Sequence, residues 1–158
     1  MLKLYKRIGD VLHYHEAWAN DAEVIEHWGS VGARGQLREH PLQKGQSAEE
    51  AVESLLQPRL LEGYLPIAEE DHATLLIEYP VAHMGTNQDL DKRHALEDRM
   101  NETLGWTGLG ACDGGSIGSG TMEVCCFVVD FEVAQRVIAE DLKETEFGDY
   151  SRIYDENA

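Results

Sequence analysis

The stretch His27-Trp28-Gly29-Ser30-Val31-Gly32-Ala33-Arg34-Gly35-Gln36 decides how the first part of this chain is read. It sets an aromatic anchor among three glycines, at positions 29, 32 and 35. Glycine at that spacing weakens a helix or strand, but it serves where the backbone turns tightly or takes a positive φ. Apolar alternation runs up to the stretch and resumes after it. The stretch therefore reads as the corner of an antiparallel hairpin.

Working outward, residues 2–8 and 11–18 read as strands, with Gly9-Asp10 between them as a turn or bulge. Residues 23–28 make a third strand and 36–40 a fourth, which Pro41 ends or marks as an edge. Ser47-Ala48-Glu49-Glu50 has the form of a capping box, with Ser47 as N-cap and Glu50 at the third helical position. Ala51, Val52, Leu55 and Leu56 then give one apolar helix face. Pro58 predicts a kink or an end near Leu56. Gly63-Tyr64 closes a four-stranded antiparallel sheet with one helix.

Trp28-Gly29, then Gly32-Ala33-Arg34-Gly35-Gln36, then Ala48, Ala51 and Gly63-Tyr64 in that order resemble the WGR domain, best known from poly(ADP-ribose) polymerases. The resemblance covers residues 1–66, under half of the chain. It implies an antiparallel sheet with a helix packed alongside. It also implies a contact site for DNA ends or a protein partner at Trp28, Gly29, Ser30, Gly32, Arg34, Gly35 and Gln36. Ser30 stands where the family motif has arginine. A hydroxyl cannot supply the bidentate phosphate or carboxylate contact of a guanidinium, and Arg34 is the nearby one. The plainer reading makes Trp28 an ordinary aromatic packed between sheet and helix.

Residues 67–73, with Glu69-Glu70-Asp71, read as an acidic linker. Beyond it, residues 74–79 are apolar enough for a strand buried on both faces. Asn87 is the expected cap of a helix over 88–104, with Leu96, Met100 and Leu104 on one face and Gly105 ending it. A strand over 106–111, a glycine-rich turn, a second apolar strand over 122–130, a helix over 132–144 and a short strand over 150–154 follow. The order β-α-β-β-α-β is that of the ferredoxin-like plan, in which the first and third strands are central. The two most continuously apolar strands hold those places. The expected class is therefore α+β: a WGR-like domain (1–66), a linker (67–73) and an acidic ferredoxin-like domain (74–158).

The 158 residues carry a net charge of −17. Residues 1–67 hold 7 Lys+Arg against 10 Asp+Glu, a balance of −3. Residues 68–158 hold 6 against 20, a balance of −14. Such a half repels phosphate backbones, so nucleic acid is expected to meet only the N-terminal half. A basic protein is the partner this charge favours. No apolar run reaches the roughly 18 residues of a membrane span, and no apolar stretch backs Lys3, Lys6 and Arg7 as a signal peptide would. Cys112, Cys125 and Cys126 make no disulfide framework and fit a reducing cytoplasm. Open edge strands and a free sheet face allow a homodimer.

The run 108–121 invites a ligand-cradle reading through Gly110, Cys112, Asp113, Gly114, Gly115, Gly118 and Gly120. It has no Gly-Lys-Ser/Thr and no helix behind it, so the plainer reading is a long, bulged hairpin. His13 and His15 share a strand face, and His27 on the next strand is the third ligand a metal would need. No nucleophile elbow or cationic neighbour of Cys112 appears. The acid pairs fall on helix surfaces. The reading is a non-enzymatic binding module, with no cofactor and no metal, of the inhibitor or toxin-immunity kind. The alternative is a WGR-type nucleic-acid-binding accessory protein.

Overall fold

Apolar alternation on either side of the quoted stretch builds the first sheet. A computed structural model describes residues 1–158, which divide after Ala68 into two units. In the first, β1 (Leu2–Ile8), β2 (Val11–Asn20), β3 (Glu23–Ser30) and β4 (Gln36–Pro41) form an antiparallel meander in chain order. Helix α1 (Ala48–Leu61) packs on one face. There Leu4, Ala17, Val24, Ala51, Val52, Leu56 and Tyr64 make the core. The Ser47–Glu50 capping box starts α1 as the spacing predicts.

Pro58 does not end that helix, which continues through it to Leu61. Proline removes its own N–H donor and crowds the carbonyl one turn before it, but leaves its own carbonyl free to accept. The final turn survives because the Glu62 amide bonds the Pro58 carbonyl and the Tyr64 amide bonds the Arg59 carbonyl. Leu65 exchanges backbone hydrogen bonds with Tyr5 and so covers part of the β1 edge.

The second unit opens with a 3-10 turn over Glu69–Asp71. Then come β5 (Ala73–Pro80), α2 (Asn87–Trp106), β6 (Gly110–Gly118), β7 (Thr121–Val128), α3 (Phe131–Leu142) and β8 (Arg152–Asp155). The sheet order is β6-β7-β5-β8 and every neighbouring pair is antiparallel. The protein is thus mixed α+β, with two antiparallel sheets and three helices. The apolar strands β5 and β7 lie at the centre, where Leu75, Ile77, Tyr79, Val124 and Cys126 are buried with Leu96, Met100, Leu104 and Ile138 of the helices. No helix is long and apolar enough to cross a membrane.

Three boundaries differ from the sequence reading. Thr86, not Asn87, caps α2: its hydroxyl accepts from the Asp89 amide at 3.1 Å while the Asp89 carboxylate accepts from the Thr86 amide at 2.8 Å. Gly105 lies inside α2 rather than ending it. The helix closes two residues later, where the Thr107 hydroxyl bonds the Thr103 carbonyl at 2.7 Å, and Gly108 takes the positive φ of +68°.

The third correction is the larger. The expected strand 106–111 is mostly helix end and turn, and the expected glycine-rich loop is the strand β6 itself. Only Ser119 and Gly120 remain as the turn, both at positive φ, as a two-residue hairpin with right-handed twist requires. A side chain on Gly110 would collide with the Phe127 carbonyl, and one on Gly115 with the Glu123 carbonyl. These glycines let β6 lie close against β7.

Candidate functional site

Period-two alternation sends neighbouring residues of β2 to opposite faces of the first sheet, and two polar clusters result. On the α1 side, cross-strand register sets His15 beside Trp28 and Ala17 beside Glu26. The Glu26 carboxylate accepts from His15 Nε2 at 2.7 Å and from His40 Nε2 at 2.9 Å. Burial raises the Glu26 pKa, but the two histidine hydrogen bonds and their charge outweigh it and hold the carboxyl below its ordinary value. The His15 and Trp28 rings stack at 5.5 Å and 10°, and the Arg38 guanidinium lies 5.8 Å from the Trp28 ring centre. Trp28 is therefore a half-buried layer beside His15 on the helix-bearing face.

The opposite face carries Tyr14, Glu16 and His27, exposed by 0, 2 and 1%. His27 Nδ1 lies 2.7 Å from Glu16 Oε2, and Lys3 Nζ lies 3.6 Å from the other carboxylate oxygen. The Tyr14 hydroxyl donates to the Ala33 carbonyl at 2.7 Å, and His27 Nε2 meets the Arg34 carbonyl. Burial, then the negative charge of Glu16, pushes the Tyr14 hydroxyl well above the ordinary phenol range. The segment 31–35 thus folds back onto the sheet and is tied there by two buried side chains.

This arrangement explains the glycine spacing. A Cβ on Gly29 would lie 2.8 Å from the Gly35 Cα and 3.2 Å from the Tyr14 hydroxyl. Gly35, at φ +67°, would drive one into the Trp28 carbonyl. Gly32 takes φ +100° at the turn. Ser30 ends β3 opposite His13, Gln36 opens β4 opposite Trp28, and the Arg34 side chain is exposed. The seven motif residues therefore lie together, held by Tyr14 and His27, two residues whose importance here the motif did not signal.

The three histidines considered as metal ligands do not converge. His13 and His15 lie on the α1 side and His27 on the other. No group of three or more His, Cys, Asp or Glu side chains is placed to hold a metal ion. A cleft of about 340 Å³ between α1 and the β3–β4 edge is lined by Val24, Gln43, Gln46, Ala51 and Leu55, with His40 as its titratable group.

In the second unit the proposed cradle residues are spread along an extended strand. Gly110, Cys112, Gly115 and Gly118 pair with β7, and a bulge between Cys112 and Gly115 takes up Asp113 and Gly114. Gly120 sits in the turn beyond.

The charge of this unit is organised around its cations. Lys92 pairs with Asp149 at 2.7 Å, Arg93 with Glu97 at 3.2 Å and Arg99 with Asp141 at 2.9 Å, and Arg152 pairs with Glu78. Four of its six cationic side chains are thus engaged within the unit. Asp91, Asp98 and Glu102 remain exposed on α2, and Glu132, Glu140 and Glu144 on and just after α3. At 3.6 residues per turn the three α2 carboxylates fall on one stripe.

No protein-family model matches this chain, and comparisons with curated proteins and with solved structures find no significant match.

Proposed function

We propose that the protein is a non-enzymatic binding module that captures a basic protein through the acidic surface of residues 69–158, in the manner of an inhibitor or immunity protein. The observation that carries this reading is the internal engagement of the unit's cations, which leaves the Asp91, Asp98 and Glu102 stripe without a compensating charge on its own helix face. Surfaces of one sign speed encounter with the opposite sign and discriminate against like-charged partners. An intracellular setting belongs to the same reading and rests on three free cysteines.

The fold assignments that accompany it are a WGR-like first unit and a ferredoxin-like second unit. Supporting the second is its strand order: numbered within the unit, it runs 4-1-3-2 with all neighbours antiparallel. Supporting the first are the four-stranded meander, the single helix and the clustered motif residues.

Arg38 beside Trp28, with Arg34 exposed on the turn that precedes β4, favours a second reading, contact with nucleic acid through the first unit. Affinity capture from source-cell extract, with and without nuclease, separates the two. A stoichiometric basic protein that survives nuclease and is released by salt supports the first reading. Recovery of nucleic acid alone, or of proteins lost with nuclease, overturns it in favour of the second.

A further inference from the structure

Cys112 on β6 and Cys126 on β7 are direct cross-strand partners. Residues opposed in an antiparallel pair have Cα atoms roughly 4.5–5.5 Å apart. That spacing lies within the range a disulfide spans, about 4.4–6.8 Å. Both side chains point to the same, helix-bearing face of the sheet, and the Cys112 thiol donates to the Gly114 carbonyl at 3.7 Å. The third cysteine, Cys125, neighbours Cys126 along the strand and so projects from the other face. Cys112 is partly open to solvent, whereas Cys126 is fully buried. The β6 backbone bulges immediately after Cys112, across Asp113 and Gly114, which gives that strand room to adjust.

We propose that Cys112 and Cys126 form a peroxide-reactive dithiol that closes to a reversible disulfide, with Cys112 as the attacking sulfur and Cys126 as the resolving one. The Cys112 thiolate attacks one oxygen of a hydroperoxide. An S–O bond forms, the O–O bond breaks, and the leaving oxygen takes up the thiol's proton as water or an alcohol. The Cys126 sulfur then attacks the sulfenic sulfur. The S–S bond forms, the S–O bond breaks, and the oxygen leaves as water with the Cys126 proton. Two electrons pass from the thiols to the peroxide.

The direction of attack follows from the environment. The adjoining Cys126 thiol and the Gly114 backbone hold the Cys112 thiol below its ordinary value, against burial and the charges of Glu97 and Asp113. The neighbouring Cys112, with burial, pushes the Cys126 thiol up. The oxidant class follows from charge. The unit's balance of −14 repels anionic disulfides, whereas a hydroperoxide is small and neutral.

The test exposes the full native chain to hydrogen peroxide, blocks remaining thiols with a maleimide under denaturing conditions, and maps the peptides. No Lys or Arg lies between Arg99 and Arg136, so an acid-specific protease is needed to part Cys112 from the Cys125-Cys126 pair. The expected result is a Cys112–Cys126 cross-link, with Cys125 alkylated and the cross-link reversed by a dithiol reductant. Cys125→Ser should leave it intact and Cys112→Ser should abolish it. Oxidation of Cys112 to sulfinic acid while Cys126 stays alkylatable would overturn the proposal, as would a cross-link through Cys125.

Discussion

His27 and Glu16 are hydrogen-bonded at 2.7 Å in the interior of the first unit, where neither is more than 2% exposed. The other nitrogen of the His27 ring faces the Arg34 carbonyl and the Tyr14 hydroxyl, whose own proton goes to Ala33. The ring thus meets a polar partner at each nitrogen. The pair joins strand β2 to the segment 31–35 through a single imidazole.

His27→Ala should therefore cost about 3 kcal/mol, since it leaves a buried carboxylate with only Lys3 nearby. Urea denaturation of wild type and variant measures it. A loss under about 1 kcal/mol would mean the ring is not a structural tie.

Acid should weaken the first unit through Glu26. Its native carboxyl titrates below the ordinary value, so near and below that value the unfolded chain binds more protons than the native one. The stability it contributes is present above the ordinary glutamate pKa of about 4.3 and is lost as pH falls through the native value. Glu26→Gln should be less stable at neutral pH and lose stability less steeply in acid. Denaturant midpoints across this range check both.

Gly35→Ala should destabilise by roughly 2–3 kcal/mol, because it combines a positive φ with a collision against the Trp28 carbonyl. Gly45→Ala is the control. It has a similar φ of +84° but open space, and should cost about 1 kcal/mol. Equal losses would mean that backbone conformation alone, and not close approach, demands glycine at 35.

Thr86→Ala should cost about 1 kcal/mol by removing the α2 cap, whereas Asn87→Ala should change stability by only a few tenths. Thermal or denaturant unfolding of the two single variants tests the assignment directly.

The sequence revealed period, but not always which of two adjacent residues ends an element. The meander was legible because alternation in β1 to β3 is regular and the Ser47–Glu50 box is unambiguous. Thr86 and Asn87 are both good caps, and only the reciprocal bond to Asp89 distinguishes them. The glycines of β6 look like loop in sequence because glycine usually breaks strands. Here β7 supplies the ladder, and the close approach at Gly110 and Gly115 needs the missing Cβ. The spacing of 29, 32 and 35 was legible as a turn, but Tyr14 lies on β2, and no local pattern tells that it and His27 hold the turn from below. Side-chain convergence across strands depends on register, and register follows from the folded hairpins rather than from any one segment.

If the acidic surface captures a basic protein, neutralising the α2 stripe must weaken that capture. Asp91→Asn, Asp98→Asn and Glu102→Gln combined should leave the fold intact, since all three side chains are exposed. The measurement is capture of basic protein from nuclease-treated source-cell extract by this variant beside wild type, at matched circular dichroism. Wild type should retain a basic protein and the variant should lose most of it. Equal retention by both would contradict capture through the stripe.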